Sequence, residues 1–185
     1  GISNDALGWP TKFINAFSDA GYQVIRYDYR GTGLSDWIDD FDDQIPYSLS
    51  DMAFDSVAVL DTLHIEKANI IGISMGGMIA QQLAINHPKR VQSLTSIMSS
   101  GNIFDQTIPP ISSQVAYDLI KVAIKYSIFN SEKNMIKLHL ASRIILMGKS
   151  SYKIDIKDLS EQVLYNIRKR KGYNPNVSGQ HQAAV

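Results

Sequence analysis

The sequence predicts an α/β protein in which a parallel sheet is covered by helices on both faces. Compact apolar runs alternate with helix-like segments over the first hundred residues, and glycines separate them. Strands that alternate with helices indicate a parallel sheet. Two neighbouring parallel strands must be joined by a long crossover, and the helix between them supplies it. The apolar run from Ala68 to Ile73 is typical of a parallel strand that is buried on both faces.

Local signals mark the first elements. A helix is expected from Pro10, which suits the first helical position, to the neighbourhood of Gly21, which suits a helix end. The segment 22–27 is rich in aromatic and β-branched residues and indicates a strand. Ser48 and Asp51 have the spacing of a capping box and predict the start of a second helix.

The strand at 68–73 is followed by a predicted helix at 76–87, which Pro88 ends, and by an apolar strand at 91–98. The pattern then changes to helices alone. We therefore predict two domains: an α/β core over residues 1–104 and a helical cap or lid region over 105–185. Three helices are expected in the second region, at about 112–128, 132–147 and 155–171.

Composition limits the classes of function. The 185 residues include 18 basic and 18 acidic side chains, so the chain has no net field to attract nucleic acid or an anionic membrane. The absence of cysteine excludes disulfides, a thiol nucleophile and cysteine-ligated metal. No apolar run reaches the ~18 residues of a membrane-spanning helix. We expect no nucleic-acid or membrane partner, and a cytoplasmic protein.

One motif carries chemistry. Gly72-Ile73-Ser74-Met75-Gly76 matches G-x-S-x-G between a predicted buried strand and a predicted helix, which is the context of a nucleophile elbow. Ser74 at the tip of this turn would project its hydroxyl into a cleft, and side chains at Gly72 or Gly76 would collide there. The backbone N–H of Met75 would face the negative charge that develops on the substrate oxygen. The alternative is a serine that merely caps the helix.

The chain resembles the α/β-hydrolase superfamily over nearly all its length. The segments 27–35, 72–76 and 87–91 look like the family's D-x-R-G-x-G-x-S turn, its elbow and the link from the elbow helix to the next strand. The segments 6–10 and 24–28 are similar to the aclacinomycin methylesterase branch, and so are 173–175 and 180–182. The fold class expected is a partial α/β-hydrolase fold with a helical cap insertion.

The resemblance implies a serine-dependent hydrolase of a carboxylic ester, with a methyl ester as the branch's own substrate type. It also implies that the second oxyanion donor is the backbone N–H of Ile2, with Ser3 as the neighbouring candidate. The expected partner is a small-molecule ester. We expect no cofactor and no metal, and the sequence does not fix the oligomeric state.

A serine hydrolase needs a histidine base and an acid, which follow the serine along the chain in this fold. The four histidines, at 64, 87, 139 and 181, are each expected to be surface or capping residues, and Asp105 is a weak candidate for the acid. No segment after residue 98 looks like the strands that carry the acid and base. The chain is therefore expected to be an internal fragment that lacks activity alone.

Two other classes stay open at this stage. A degenerate hydrolase fold can bind a small ligand without catalysis, and the same fold hosts lyases, carbon–carbon bond hydrolases and cofactor-free perhydrolases. The binding alternative is favoured if the complete protein lacks a histidine and an acid in the expected loops.

Overall fold

The structure is a computed structural model that describes residues 1–102, 105, 107–109, 112–128 and 131–185. In these ranges, the helices are α1 (Thr11–Asp19), α2 (Leu49–Thr62), α3 (Met75–Asn86), α4 (Ser113–Ser127), α5 (Glu132–Met147), α6 (Ile156–Lys169) and α7 (Val177–Ala183). The strands are β1 (Ala68–Ile73) and β2 (Val91–Ile97). Short 3₁₀ turns lie at Ala6–Gly8 and Pro88–Arg90.

The chain forms two compact units that interleave along the sequence. The first comprises Gly1–Ala6, Arg26–Asp105 and Asn174–Val185, and it contains the sheet with α2, α3 and α7. The second comprises Leu7–Ile25 and Gln106–Tyr173, and it contains α1, α4, α5 and α6. The division into domains at residues 104 and 105 stays a prediction.

The predicted strand–helix–strand order around Ser74 is confirmed. β1 and β2 pair in parallel, with Ile70 opposite Leu94 and Gly72 opposite Ser96. Helix α3 makes the crossover between them and packs against both strands. The carboxyl end of β1 therefore leads directly into the amino end of α3, which is the place where Ser74 lies.

The capping box at the start of α2 is also confirmed. The Ser48 hydroxyl accepts the backbone N–H of Asp51, and the Asp51 carboxylate accepts the backbone N–H of Ser48. Two N–H groups that the helix leaves unsatisfied are thereby paired. Helix α2 then packs against α3, and their apolar side chains form the core of the first unit: Met52, Ala53, Val57, Met75, Ile79 and Leu83, together with Ala184.

The prediction of a strand at 22–27 is wrong for the described structure, where this segment forms no strand. A strand requires a hydrogen-bonded neighbour, whatever the propensity of its residues. In the part of the chain that is described, β1 and β2 pair only with each other and leave 22–27 without a partner.

In the second unit, α5 packs against both α4 and α6. The predicted apolar stripe of α6 is buried at Leu159 and Val163, whereas Ile156 in its first turn is largely exposed. Asp155 caps this helix by accepting the N–H of Asp158, and it forms an ion pair with Lys12. Within the described ranges, no helix combines the length and the apolar character that crossing a membrane requires.

A histidine in α5 packs against an aromatic ring of the second unit. The His139 ring lies 4.7 Å from the ring of Tyr173, measured between centroids. Burial, with a smaller contribution from the nearby charge of Arg143, lowers the pKa of His139 to about 4. The ring is therefore neutral in the folded protein at pH values where an unfolded histidine, with an ordinary pKa of about 6.5, becomes protonated.

We expect the free energy of unfolding to fall as pH decreases from about 6.5 to about 4, because His139 then binds a proton in the unfolded chain but not in the folded protein. The difference between the two pKa values corresponds to up to about 3 kcal/mol. Urea unfolding across this range should show a smaller loss in His139→Phe, which keeps an aromatic contact with Tyr173, than in the wild type. A part of the loss remains, because burial also lowers the pKa of His181. His64→Asn, at an exposed histidine whose φ of +55° suits asparagine, is the matched control for the loss of a histidine from the chain. An unchanged profile in His139→Phe would contradict this assignment.

Candidate active site

Ser74 occupies a strained turn between β1 and α3. Its backbone has φ +55° and ψ −127°, a conformation that residues other than glycine rarely adopt. The turn is fixed from both sides, because Ser74 N–H donates to Ile97 O at 2.9 Å and Ser74 O accepts from Gly77 N–H at 2.8 Å. Although Ser74 stands at the N-cap position, its side chain makes no capping hydrogen bond. The hydroxyl of this half-buried residue is therefore not used to hold the helix.

The glycines of the motif are required by space. A Cβ added to Gly72 would lie 2.1 Å from Gly76 O and 2.7 Å from Gly77 N, which are backbone atoms that cannot move aside. A side chain at Gly76 would also collide, as expected, but the atom that it meets lies outside the turn. A Cβ at Gly76 would lie 2.6 Å from the hydroxyl oxygen of Tyr29, so the collision is with a side chain of another segment.

Met75, the residue after Ser74, matters to the site through its backbone N–H and through its side chain. As the first residue of α3, its N–H has no acceptor within the helix and lies at the positive end of the helix dipole. The residue is only 2% exposed, and its side chain belongs to the core of the first unit. The amide that follows Ser74 is thus held in place by the packing of its own side chain.

The loop at Gly1–Asn4 lies beside Ser74. A Cβ placed on Gly1 would be 3.5 Å from Ser74 Cβ and 3.8 Å from Ser74 Oγ. The loop closes a turn through the hydrogen bond from Asn4 N–H to Gly1 O, at 3.1 Å. Within it, Ser3 has φ +61°, and its N–H donates to His181 Nδ1 at 3.1 Å. Ile2 is the neighbouring residue of the loop and is about one-third exposed.

The turn after residue 27 supports this loop. One carboxylate oxygen of Asp28 accepts the N–H of Ala6 at 2.9 Å, and the other accepts the N–H of Leu34 at 3.0 Å. Arg30 donates two hydrogen bonds to the carboxylate of Asp55 in α2, at 2.8 and 2.7 Å. These contacts tie the segment that resembles D-x-R-G-x-G-x-S to the loop beside Ser74 and to the core.

The four histidines all lie in the described part of the chain, and none is hydrogen-bonded to Ser74 there. His64 and His87 lie at the ends of α2 and α3, as expected. His181 is not the surface or capping residue that we expected: its ring is fully buried and bonded at both nitrogens. Asp105 donates its N–H to Asn102 O in the loop after β2.

Tyr29 and His181 are the site neighbours that sequence reasoning missed. Their rings meet edge to face at 6.2 Å, and the Tyr29 hydroxyl faces Gly76. Burial raises the pKa of Tyr29 to about 12, so this hydroxyl stays protonated at neutral pH. No periodicity could have indicated His181, because α7 has only seven residues and its contact with Ser3 spans nearly the whole chain.

The described residues contain no group of three or more acidic or histidine side chains that could hold a metal ion. The chemistry that this part of the chain itself offers is a hydroxyl at a strained turn, next to the free N–H groups at the start of a helix.

Comparison with known proteins places these features in one family. A family model described as the alpha/beta hydrolase fold matches residues 1–130. Rhodomycin D methylesterase DauP from Streptomyces sp. (strain C5) is 39% identical over 93 residues, which is 50% of this chain and 30% of that protein. The putative carbamate hydrolase RutD from Variovorax paradoxus (strain S110) is 36% identical over 97 residues, which is 52% of this chain and 35% of that protein.

A solved structure agrees in fold. The hydrolase olei00960 from Oleispira antarctica superposes with a TM-score of 0.61 and 24% identity, covering all of this chain and 62% of that one. The chain therefore spans less than two thirds of this structure, and its matches span about a third of the two curated relatives.

Proposed function

The chain belongs to the alpha/beta hydrolase fold family, and from that premise we propose that it carries the nucleophile of a serine-dependent hydrolase of carboxylic esters. Ser74 is the attacking residue in this proposal, and the elbow glycines are Gly72 and Gly76. The backbone N–H groups of Met75 and Ile2 stabilise the oxyanion. The partner is a small-molecule ester.

The observation that carries the proposal is the backbone of Ser74. A non-glycine residue at φ +55° is costly, by about 1–3 kcal/mol, and persists where the surrounding structure forces it. This strain is not offset by a capping hydrogen bond, because the Ser74 hydroxyl makes none. A hydroxyl held clear of its own helix and next to unpaired N–H groups is suited to attack a carbonyl carbon.

The reaction follows from this arrangement. Ser74 Oγ attacks the ester carbonyl carbon while its proton passes to a base, and the carbonyl oxygen becomes an oxyanion. The N–H of Met75 and the N–H of Ile2 donate to that oxygen. The intermediate then collapses, the C–O bond to the alcohol breaks, and the alcohol leaves with a proton. Water hydrolyses the acyl-serine by the same steps and releases the carboxylic acid.

The proposal assigns no residue of 1–185 as the base or the acid. Both ring nitrogens of His181 are occupied, and in the described residues no hydrogen bond joins His64, His87 or His139 to Ser74. Tests of activity therefore use the intact protein that contains this chain.

The substrate class rests on similarity. The relatives named above include a methylesterase and a putative carbamate hydrolase, and both names describe cleavage at a carbonyl carbon that carries a heteroatom. We propose a carboxylic ester, with methyl esters as the first group to test.

The decisive experiment combines turnover with labelling. We expect the intact protein to hydrolyse chromogenic short-chain esters and to be phosphonylated by an alkyl fluorophosphonate, with the added mass on the peptide that contains Ser74. A methyl ester and the matching amide, compared side by side, give the preference for the leaving group. Hydrolysis that persists while Ser74 stays unlabelled would overturn the proposal.

A non-catalytic binding protein is the second candidate, because no histidine in the described residues is hydrogen-bonded to Ser74. In that case the intact protein binds esters, as calorimetry would detect, but neither turns them over nor reacts with the fluorophosphonate.

A further inference from the structure

His181 links two segments that flank the nucleophile. It is fully buried in α7, and its two ring nitrogens contact backbone atoms far away along the chain. Nδ1 lies 3.1 Å from the N atom of Ser3, and Nε2 lies 3.1 Å from the carbonyl oxygen of Arg30. A buried histidine bonded on both sides holds both segments at a fixed separation.

The hydrogen-bond partners determine the protonation state. The Ser3 N–H can only donate, so Nδ1 must carry a lone pair and accept. The Arg30 carbonyl can only accept, so Nε2 must carry the proton and donate. The ring is therefore neutral, and burial lowers the pKa of His181 below its ordinary value, which favours the same neutral form.

The Arg30 side of this link is rigid. Gln180 donates to Ile38 O at 2.7 Å, and Asn174 donates to Gly31 O at 3.0 Å. Val177 packs so closely on Gly31 that a Cβ there would lie 2.9 Å from a methyl carbon of the valine. Helix α7, which carries His181, is thus held against the turn after residue 27. From α7 the His181 ring reaches Ser3.

The Ser3 side is the strained one. Ser3 has φ +61°, and the loop that contains it lies so near Ser74 that a Cβ added to Gly1 would be 3.5 Å from Ser74 Cβ. The N–H of Ser3 is committed to His181 and is therefore not free to stabilise an oxyanion. In the loop Gly1–Asn4, this favours Ile2 over Ser3 as the second donor.

We propose that His181 is a positioning residue for the oxyanion loop: by accepting the Ser3 N–H, it holds Gly1–Asn4 in the conformation that catalysis at Ser74 uses. This inference rests on the proposed function. His181 does not touch substrate or exchange protons with it. Its effect on the reaction passes through the backbone of Ser3.

Two substitutions separate the two hydrogen bonds. In His181→Asn, the amide oxygen can occupy the position of Nδ1 and accept the Ser3 N–H, while the bond to Arg30 is lost. In His181→Gln, the amide nitrogen can occupy the position of Nε2 and donate to Arg30 O, while the bond to Ser3 is lost. Each variant removes one buried hydrogen bond, so the two serve as controls for each other.

We expect kcat for ester hydrolysis by the intact protein to fall about 10- to 100-fold in His181→Gln, which is less than the ~10²–10³-fold cost of deleting an oxyanion donor outright. In His181→Asn it should stay within about threefold of the wild type, and KM should change little in either. Both variants should lose a similar amount of Tm. The backbone amide proton of Ser3, followed by NMR, should shift in His181→Gln and not in His181→Asn.

Equal kcat in the two variants, or a loss of kcat that follows Tm in both, overturns the proposal. If the wild-type protein has no hydrolysis that depends on Ser74, the proposed function fails instead. The Ser3 amide shift then decides by itself whether His181 holds the loop, and an unchanged shift in His181→Gln overturns that as well.

Discussion

Replacing Ser74 by alanine should lower kcat/KM for ester hydrolysis by the intact protein by at least about 10³-fold, because no other group in the elbow can form the acyl intermediate. Stability should hardly change. The Ser74 hydroxyl makes no cap, and alanine meets the same backbone strain at φ +55° as serine does. Steady-state kinetics and thermal unfolding, measured on the same preparation, test both halves of this expectation.

Ser99 provides the matched control. It lies two residues after the end of β2, and its Oγ is buried without a hydrogen-bond partner among the described residues. Ser99→Ala should keep wild-type kinetics and be neutral or slightly stabilising, because a buried hydroxyl without a partner carries a desolvation cost. If Ser74→Ala keeps substantial activity, or if Ser99→Ala loses as much, the nucleophile lies elsewhere.

The second large effect is expected at Gly72. In Gly72→Ala, the new methyl group would lie 2.1 Å from Gly76 O and 2.5 Å from Gly76 C, so β1 and the first turn of α3 must separate. Overpacking against a backbone costs about 3 kcal/mol or more, and here it also displaces the Met75 N–H. Urea unfolding should show the loss of stability, and activity should fall further than the remaining folded fraction explains.

Gly179→Ala is the comparison for Gly72→Ala. A Cβ at Gly179 meets nothing within 4 Å, and the residue lies inside α7. Alanine there should be neutral or stabilise the helix by up to about 1 kcal/mol. If the two substitutions change the free energy of unfolding equally, the close approach at Gly72 does not limit the elbow.

The parts that the sequence predicts well are those with local causes. The capping box at Ser48 and Asp51 and the strand–turn–helix at 68–86 depend on residues within a few positions of each other. The predicted bounds of β1 and of α5 agree with the structure, because propensity and apolar pattern there indicate the same state.

The features that depend on distant residues could not be predicted. The segment 22–27 has the composition of a strand and forms none in the described structure, since pairing requires a neighbour that composition does not report. The burial of His181 depends on a contact with Ser3, 178 positions away in sequence. The collision partner of Gly76 is likewise Tyr29, which belongs to a separate segment.

The burial of the Met75 side chain couples the geometry of the site to the unfolding of the first unit. The amide that follows Ser74 belongs to a residue whose thioether is embedded among α2 and α3 side chains. That amide therefore cannot reorient through a local fluctuation alone, since the helices must part first. Heat or denaturant should accordingly remove the chemistry of Ser74 and the integrity of the first unit in a single event, so that residual activity measures the fraction of molecules still folded.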